Sequence, residues 1–334
     1  MPLPTRLRED KEARDVRPKL LRNAGMHSTK PLDETLREAW PWAKAFLRYL
    51  HKTRHSPFLG SHLMFGSDYS GDHAKSPFRI YGFLVADEDR SPQWPARCHA
   101  VREKYLKDGR RMSFKNMNDV QRRRALIPFL EAAEYFEGHV VVVAVTKQLG
   151  KMSTTPTSMQ VWQDVHGLQA RWDLRAFEQM ARAAHFFSMF LSTWSSPGMD
   201  VTWITDDDSI VANAGRLDDV HQFAARLSGV FVPHQLGVFA MNTVSFDGKA
   251  RGFEDFVAIP DLAAGMIGEA LSVKRSQETG RPNEYGAEEL SVKSDVIADW
   301  FWHRSGPLKK ICILISPAAT KGQFGIGELS MELR

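Results

Sequence analysis

The chain has 334 residues, of which 43% are hydrophobic and 25% are charged, with a formal net charge of +4. This length and composition are typical of a folded globular protein and exclude a largely disordered chain. The longest unbroken apolar run, Val140 to Val145, is far shorter than the roughly 20 residues that a membrane helix needs. The two cysteines, Cys98 and Cys312, match neither a disulfide scaffold nor a zinc motif. We therefore expect a cytoplasmic protein with no membrane partner.

Basic residues are concentrated in two stretches of the chain. Residues 1–30 carry eight Lys or Arg and four Asp or Glu, and this predicts a basic, flexible arm. Residues 102–124 carry nine basic and three acidic residues. We expect this second stretch to hold the phosphates of RNA or DNA, and its alternative interpretation is an ordinary solvated helix face. The residues predicted to contact nucleic acid are Lys115, Arg122, Arg123 and Arg124.

Apolar periodicity predicts an alternation of strands and helices through most of the chain. The predicted elements are a helix at 33–54, strands at 62–68 and 78–87, a helix at 97–107, a third strand at Arg111–Lys115, a helix at 119–137, a strand at 139–147, a helix at 173–194, a strand at 199–206, a helix at 217–229, a strand at 236–246, a helix starting at Pro260-Asp261, a helix at 291–304 and a strand at 309–316. Three early antiparallel strands, followed by strands reached through helices, predict an α/β fold with a ribonuclease H-like mixed sheet flanked by helices.

This order of elements also predicts the domain organisation. The arm at 1–30 is followed by a helical N-terminal extension at 31–60. The ribonuclease H-like domain covers 61–270, and a C-terminal addition at 271–334 contributes a helix and a strand that pack on the same domain.

Carboxylates fall where the predicted strands end. Asp68 belongs to the stretch Ser-Asp-Tyr-Ser-Gly-Asp after the first strand, and Asp206, Asp207 and Asp208 end a later one. Asp261 opens a late apolar helix. Because parallel strands end at one sheet edge, these acids can share Mg²⁺ or Mn²⁺, which activates water for phosphodiester hydrolysis. Each acid also has a simpler interpretation, as a turn residue or a helix cap.

Two of these elements carry a resemblance to a known family. The element Asp68-Tyr-Ser-Gly resembles the Asp-Glu-Ser-Gly signature of the domain of unknown function 3800 family, a ribonuclease H-like group of bacteria and mobile elements. The later Ile-Pro-Asp-Leu-Ala-Ala-Gly, which contains Asp261, resembles the family's closing Gln-x-Ala-Asp-Leu-x-Ala-Gly helix, and Asp206 falls where the family has a further aspartate. The resemblance spans about residues 61–270 and implies a divalent-metal nuclease or a relative of one.

The chain departs from the family pattern at two acidic positions. Tyr69 replaces the signature Glu, and Ser113 stands where a Glu is expected. Since ribonuclease H-like sites use three or four carboxylates, the missing acid puts catalysis in question, with Asp72 or Asp119 as candidate replacements. The closing helix also lacks the family's Gln.

The sequence thus leads to one functional hypothesis and one alternative. The hypothesis is a nuclease of defence or mobile-element biology, with catalytic residues Asp68, Asp206, Asp208 and Asp261, of which Asp68, Asp206 and Asp261 bind Mg²⁺ or Mn²⁺. The alternative is a catalytically silent ribonuclease H-like scaffold that binds a protein or nucleic-acid partner.

Overall fold

The computed structural model of the chain describes residues 19–21, 43–52, 56–74, 76–150, 156–248, 250–280, 289–318 and 324–330. Its strands are β1 (Lys19–Leu21), β2 (His62–Ser70), β3 (Phe78–Asp87), β4 (Gly138–Thr146), β5 (Asp200–Thr205), β6 (Phe239–Thr243), β7 (Leu308–Pro317) and β8 (Phe324–Glu328). Its α-helices are α1 (Ala43–Lys52), α2 (Trp94–Tyr105), α3 (Val120–Ala133), α4 (Pro156–His166), α5 (Leu174–Trp194), α6 (Ala214–Phe231), α7 (Gly252–Thr279) and α8 (Val292–His303). Two short 3₁₀ helices, Lys147–Leu149 and Val244–Asp247, complete the described elements.

The strands form one mixed sheet flanked by helices, so the α/β fold class is confirmed. Within the described residues the strand order is β1-β6-β5-β2-β3-β4-β7-β8. Strands β2, β3 and β4 are antiparallel neighbours, whereas β5 and β6 continue the sheet from β2 in parallel. Parallel neighbours require a crossover, and the helix α6 supplies the one between β5 and β6.

The sheet separates two hydrophobic cores. On one face, the ring of Phe187 from α5 stacks on Trp203 of β5, with the ring centroids 4.5 Å apart. On the other face, α7 packs along β2, β3 and β4. By length and composition α7 could cross a membrane, but 94% of its most apolar window is buried inside the protein. The apolar composition of α7 is therefore that of a helix in the core of the protein.

The structure corrects two of the predicted elements. Arg111–Lys115 is not a strand but part of a loop at residues 106–119, and the third antiparallel strand is β4. The short basic stretch lacks the β-branched run that makes β4 a strand buried along its whole length. The late helix begins at Gly252, not at Pro260, so Asp261 lies well inside α7. Burial of α7 outweighs the cost of an internal proline.

The ends of the chain extend this sheet. Of the predicted arm, the structure describes Lys19–Leu21, which pairs with β6, and the other residues of 1–30 lie outside the described residues. Of the predicted extension, 43–52 and 56–60 are described, and α1 is helical as expected. In the C-terminal addition, β7 pairs with β4, and α8 packs against α7.

Candidate functional site

The carboxyl ends of β2, β5 and β6 lie side by side at one edge of the sheet. Ser67 is the register partner of Thr205, and Thr205 is the partner of Thr243. Asp68 and Asp206 each follow by one residue and continue neighbouring strands, which lie about 4.8 Å apart in a sheet. Such an edge is where open α/β sheets bind ligands. Two of the predicted aspartates therefore come together here.

The third aspartate reaches the same place because α7 crosses very close to β3. Asp68 lies directly opposite Gly82 of β3. A Cβ atom at Gly82 would lie only 2.6 Å from the backbone carbonyl oxygen of Pro260. Residues opposite each other in an antiparallel pair project to the same face of the sheet. Asp68 and Asp261, which follows Pro260 in α7, are therefore on the same face.

The loop at residues 106–119 holds Asp261 in position. The backbone N–H of Phe114 donates a hydrogen bond to Asp261 Oδ2 at 2.8 Å, and the Ser113 hydroxyl lies within reach of the same carboxylate. The ring of Phe114 packs on α7 at Gly265, where a Cβ atom would lie 2.2 Å from the ring. Ser113, at the position of the expected Glu, thus interacts with an aspartate and adds no further carboxylate.

Arg111, in the same loop, binds Asp206 through both arms of its guanidinium. Its Nη1 donates to Oδ1 at 2.8 Å and its Nη2 donates to Oδ2 at 2.6 Å, and these bonds raise the pKa of Arg111 above its usual value. The guanidinium also interacts electrostatically with Asp261 and Asp68. Sequence reasoning placed Arg111 in the basic stretch and in a predicted strand but not in the site, because its separation of 95 residues from Asp206 leaves no local signal for the pair.

Burial and mutual repulsion raise the pKa values of the clustered aspartates. For Asp68, burial is the main cause of a pKa well above the usual value, the charges of Asp261, Asp206 and Asp208 add to it, and Arg111 opposes it. Burial likewise raises the pKa of Asp261. No described residue donates a hydrogen bond to the Asp68 carboxylate. A bound cation would lower these pKa values again, because it stabilises the ionised form of each carboxylate.

Asp68, Asp206 and Asp261 form a cluster that we call the acidic centre, and Asp208 belongs to the turn beside it. Its Oδ1 accepts the N–H of Ile210 at 2.9 Å, as the simpler turn interpretation expects, and its Oδ2 lies 3.3 Å from Nε2 of Gln179 in α5. Burial raises the pKa of Asp208 to about 7. The charge of Asp208 therefore affects the pKa of Asp68. Its carboxylate is held by Ile210 and Gln179, not by the loop that holds Asp261.

Tyr69 faces the opposite side of the sheet. Its hydroxyl oxygen lies 2.8 Å from Ser67 Oγ, which also accepts the indole N–H of Trp203 at 2.8 Å. Burial raises the pKa of Tyr69 well above its usual value. The residue at the position of the family's signature Glu is thus part of a buried hydrogen-bond chain below the site.

The candidate replacements for the missing acid are both engaged in other interactions. Asp119 caps α3 by accepting the N–H of Arg122 at 2.9 Å. Asp72 forms ion pairs with Arg175 and Arg79. Neither aspartate therefore supplies the position that Ser113 leaves without a carboxylate.

Three of the four residues predicted to contact nucleic acid are exposed. Lys115 lies in a turn rather than on the predicted strand, and Arg123 and Arg124 lie near the start of α3. No described residue forms an ion pair with any of these three. Arg122 is only partly exposed, because its Nε donates to the backbone oxygen of Arg111 at 2.8 Å.

The oxygen atoms of the centre are of the kind that binds a hard divalent cation, but they are not arranged around an open metal position. Carboxylate oxygens are the ligands that Mg²⁺ and Mn²⁺ prefer, and the Asp68 carboxylate has no competing donor among the described residues. In the described part of the chain, however, no group of three His, Cys, Asp or Glu side chains is arranged to hold a metal ion. Arg111 binds both oxygens of Asp206 and competes directly with a cation.

Comparison with family models and with the curated proteins finds no match to this chain. The fold and the site define it as an α/β protein with a mixed sheet and an acidic centre at one sheet edge. Its function is therefore argued from the residues of that centre.

Proposed function

We propose that this chain is a ribonuclease H-like protein that binds nucleic acid and hydrolyses its phosphodiester bonds with Mg²⁺ or Mn²⁺. The observation that carries the proposal is the common position of Asp68, Asp206 and Asp261 at the carboxyl edge of β2 and β5. The strand order β4-β3-β2-β5-β6, three antiparallel strands followed by two parallel ones, supports the ribonuclease H-like assignment. It is also the order expected from the resemblance to the domain of unknown function 3800 family.

In this proposal Asp68, Asp206 and Asp261 hold the metal, and Asp208 contributes negative charge from the neighbouring turn. A bound divalent ion activates a water molecule and stabilises the leaving oxygen of a phosphodiester. Asp68 is the strongest candidate ligand, because it is crowded by other carboxylates and receives no hydrogen bond from the described residues. The loop contacts from Phe114 and Ser113 fix the orientation of Asp261.

The exposed cations beside the centre supply the affinity for nucleic acid. Lys115, Arg123 and Arg124 are exposed and are not neutralised by an ion pair with any described residue. Such cations bind phosphates by releasing counterions. Lys115, Arg123 and Arg124 form what we call the basic surface. The hydrogen bond from Arg122 to the backbone oxygen of Arg111 connects this surface to the acidic centre.

A second candidate function is a catalytically silent scaffold of the same fold. Two observations favour it. Ser113 stands at the position of the expected Glu, and Arg111 neutralises Asp206. A scaffold would retain the basic surface and bind nucleic acid or a protein partner without cutting it.

The deciding experiment is a cleavage assay with fluorescent RNA and DNA in Mn²⁺, for the wild type and Asp68→Asn. We expect the wild type to cleave one of the polymers and Asp68→Asn to lose cleavage while retaining binding, since metal ligands act on the transition state. Asp164→Asn is the matched control, because the exposed Asp164 accepts a hydrogen bond from Gln160 within α4 and belongs to none of the contacts of the centre. This control should cleave like the wild type.

Each other outcome identifies which part of the proposal is wrong. If the wild type binds a polymer but cleaves neither, the silent scaffold replaces the nuclease. If it binds neither polymer in low salt, the basic surface is an ordinary solvated face and the nucleic-acid proposal is rejected.

A further inference from the structure

We infer that Arg111 is a latch that closes the acidic centre to metal ions until a phosphate group of the substrate draws its guanidinium away from Asp206. This inference rests on the proposed function and concerns how the same centre is loaded. It makes metal binding and nucleic-acid binding depend on each other.

The first step is the competition for Asp206. The guanidinium binds both carboxylate oxygens, at 2.8 and 2.6 Å. A divalent cation at this centre needs at least one of those oxygens, and a cation and a guanidinium repel each other at such distances. A divalent cation at Asp206 must therefore compete with Arg111 for this carboxylate, and it binds more tightly once Arg111 has left.

The second step is that the side chain can move while the loop stays in place. The backbone oxygen of Arg111 accepts the hydrogen bond from Arg122 Nε at 2.8 Å. Three residues further along, Phe114 packs against Gly265 and donates its N–H to Asp261. With the backbone held at Arg111 and at Phe114, the partly exposed Arg111 side chain can release Asp206 by rotating while the loop stays in place.

The third step is the identity of the group that displaces the carboxylate. A phosphate offers the same two-oxygen acceptor as a carboxylate, with a further oxygen and more charge, and it suits the arginine fork equally well. Arg111 Nε is buried and has no hydrogen-bond partner, so one donor of the fork is unused in the present pair. Arg122 contacts the Arg111 backbone, and the exposed Arg123 and Arg124 follow it directly in α3, so these cations would concentrate phosphates near this loop.

The consequence is positive coupling between the two ligands. A phosphate that binds Arg111 frees Asp206 for the cation, and a cation bound to Asp206 frees Arg111 for the phosphate. Coupling of this kind is reciprocal, so each ligand must raise the affinity for the other by the same factor.

The test compares Mn²⁺ binding by the wild type, Arg111→Gln and the matched control Arg110→Gln. Arg110 is the adjacent arginine, but its ion pairs are with Asp108 and Asp119. Binding is followed by the electron paramagnetic resonance signal of free Mn²⁺ and by the rise of the melting temperature with Mn²⁺. Arg111→Gln should bind Mn²⁺ at least about tenfold more tightly, the factor that one charge-assisted hydrogen bond represents. Arg110→Gln should bind like the wild type.

A second measurement tests whether Mn²⁺ and phosphate binding are coupled. The affinity for a fluorescent phosphorothioate oligonucleotide, which resists cleavage, is measured by anisotropy with and without Mn²⁺. Mn²⁺ should strengthen binding by the wild type by a larger factor than binding by Arg111→Gln, in which only the direct contact of the metal with phosphate is left. Arg111→Lys, which keeps the charge but loses the fork, should fall between the two in Mn²⁺ affinity and provides the test if Arg111→Gln does not fold.

The outcomes separate the latch from the proposed function. Equal Mn²⁺ affinity of the wild type and both Arg111 variants overturns the latch, and cleavage by the wild type would still uphold the nuclease. Absence of Mn²⁺ binding in all of them overturns the latch and the metal centre together.

Discussion

The close approach of α7 to the sheet at Gly82 is the contact on which the acidic centre depends most directly. In Gly82→Ala, the new Cβ atom would lie 2.6 Å from the Pro260 carbonyl oxygen, 0.8 Å inside the 3.4 Å at which ordinary van der Waals contact begins. The obstructing atom belongs to the backbone of a buried helix, so it cannot rotate away. We expect α7 to shift outward by several tenths of an ångström and to carry Asp261 away from Asp68.

Overpacking of this kind costs about 1–3 kcal/mol of the free energy of unfolding. At about 2–4 °C per kcal/mol, the melting temperature should fall by roughly 2–12 °C. The displacement of Asp261 should also weaken the stabilisation that Mn²⁺ gives, because a shared ion needs its ligands at fixed distances.

Differential scanning fluorimetry with and without Mn²⁺, in the presence of the phosphorothioate oligonucleotide that draws Arg111 away from Asp206, measures both effects. Gly327→Ala is the matched control, since Gly327 lies in the strand β8 and a Cβ atom there has no atom within 4 Å. If Gly82→Ala melts at the temperature of Gly327→Ala and responds to Mn²⁺ like the wild type, then α7 does not determine the geometry of the centre.

Two further predictions concern the basic surface and the buried core. The double variant Arg123→Ala/Arg124→Ala should weaken nucleic-acid binding and reduce the slope of log K against log[salt] by up to about 2, as measured by anisotropy. Arg304→Ala, which removes a cation paired with Glu131, should leave the slope unchanged, and an equal slope in all three proteins would contradict the phosphate role. Burial lowers the pKa of His185 from 6.5 to about 4, so its contribution to stability is complete above pH 6.5 and is lost as the pH falls toward 4. Urea unfolding at pH 7.5 and 4.5 should show a loss of up to about 3 kcal/mol in the wild type that His185→Gln lacks, and equal losses would refute this.

The sequence predicted best where hydrophobic periodicity is strong and continuous. The strand predicted at 78–87 is β3, Phe78–Asp87, and the helix predicted at 173–194 is α5, Leu174–Trp194. Both elements bury most of their side chains, and burial is the property that periodicity reports.

The prediction of Arg111–Lys115 as a strand was wrong because tertiary contacts determine the structure of that segment. Its conformation depends on the bonds of Arg111 to Asp206 and of Phe114 to Asp261, which connect residues far apart in the chain. The start of α7 was placed too late because Pro260 is a strong helix-start signal. In the fold this proline lies inside the helix.

The aspartates themselves could be predicted, but not the groups that hold them. Asp68 and Asp206 follow strand-like runs, so their common edge follows from the rules of parallel sheets. The Arg111 ion pair depends on the path of a loop. No rule of spacing gives that path, so the charge balance of the centre emerged only from the structure.

The position of Asp261 in α7 also determines when the centre can form during synthesis. Asp68 and the basic residues of α3 leave the ribosome early, but the third carboxylate follows nearly two hundred residues after the first. Domains fold as units as the chain emerges, and contacts of long sequence separation form late. Under the proposed function, a nascent chain would therefore expose its basic surface to nucleic acid while it still lacks the complete acidic centre.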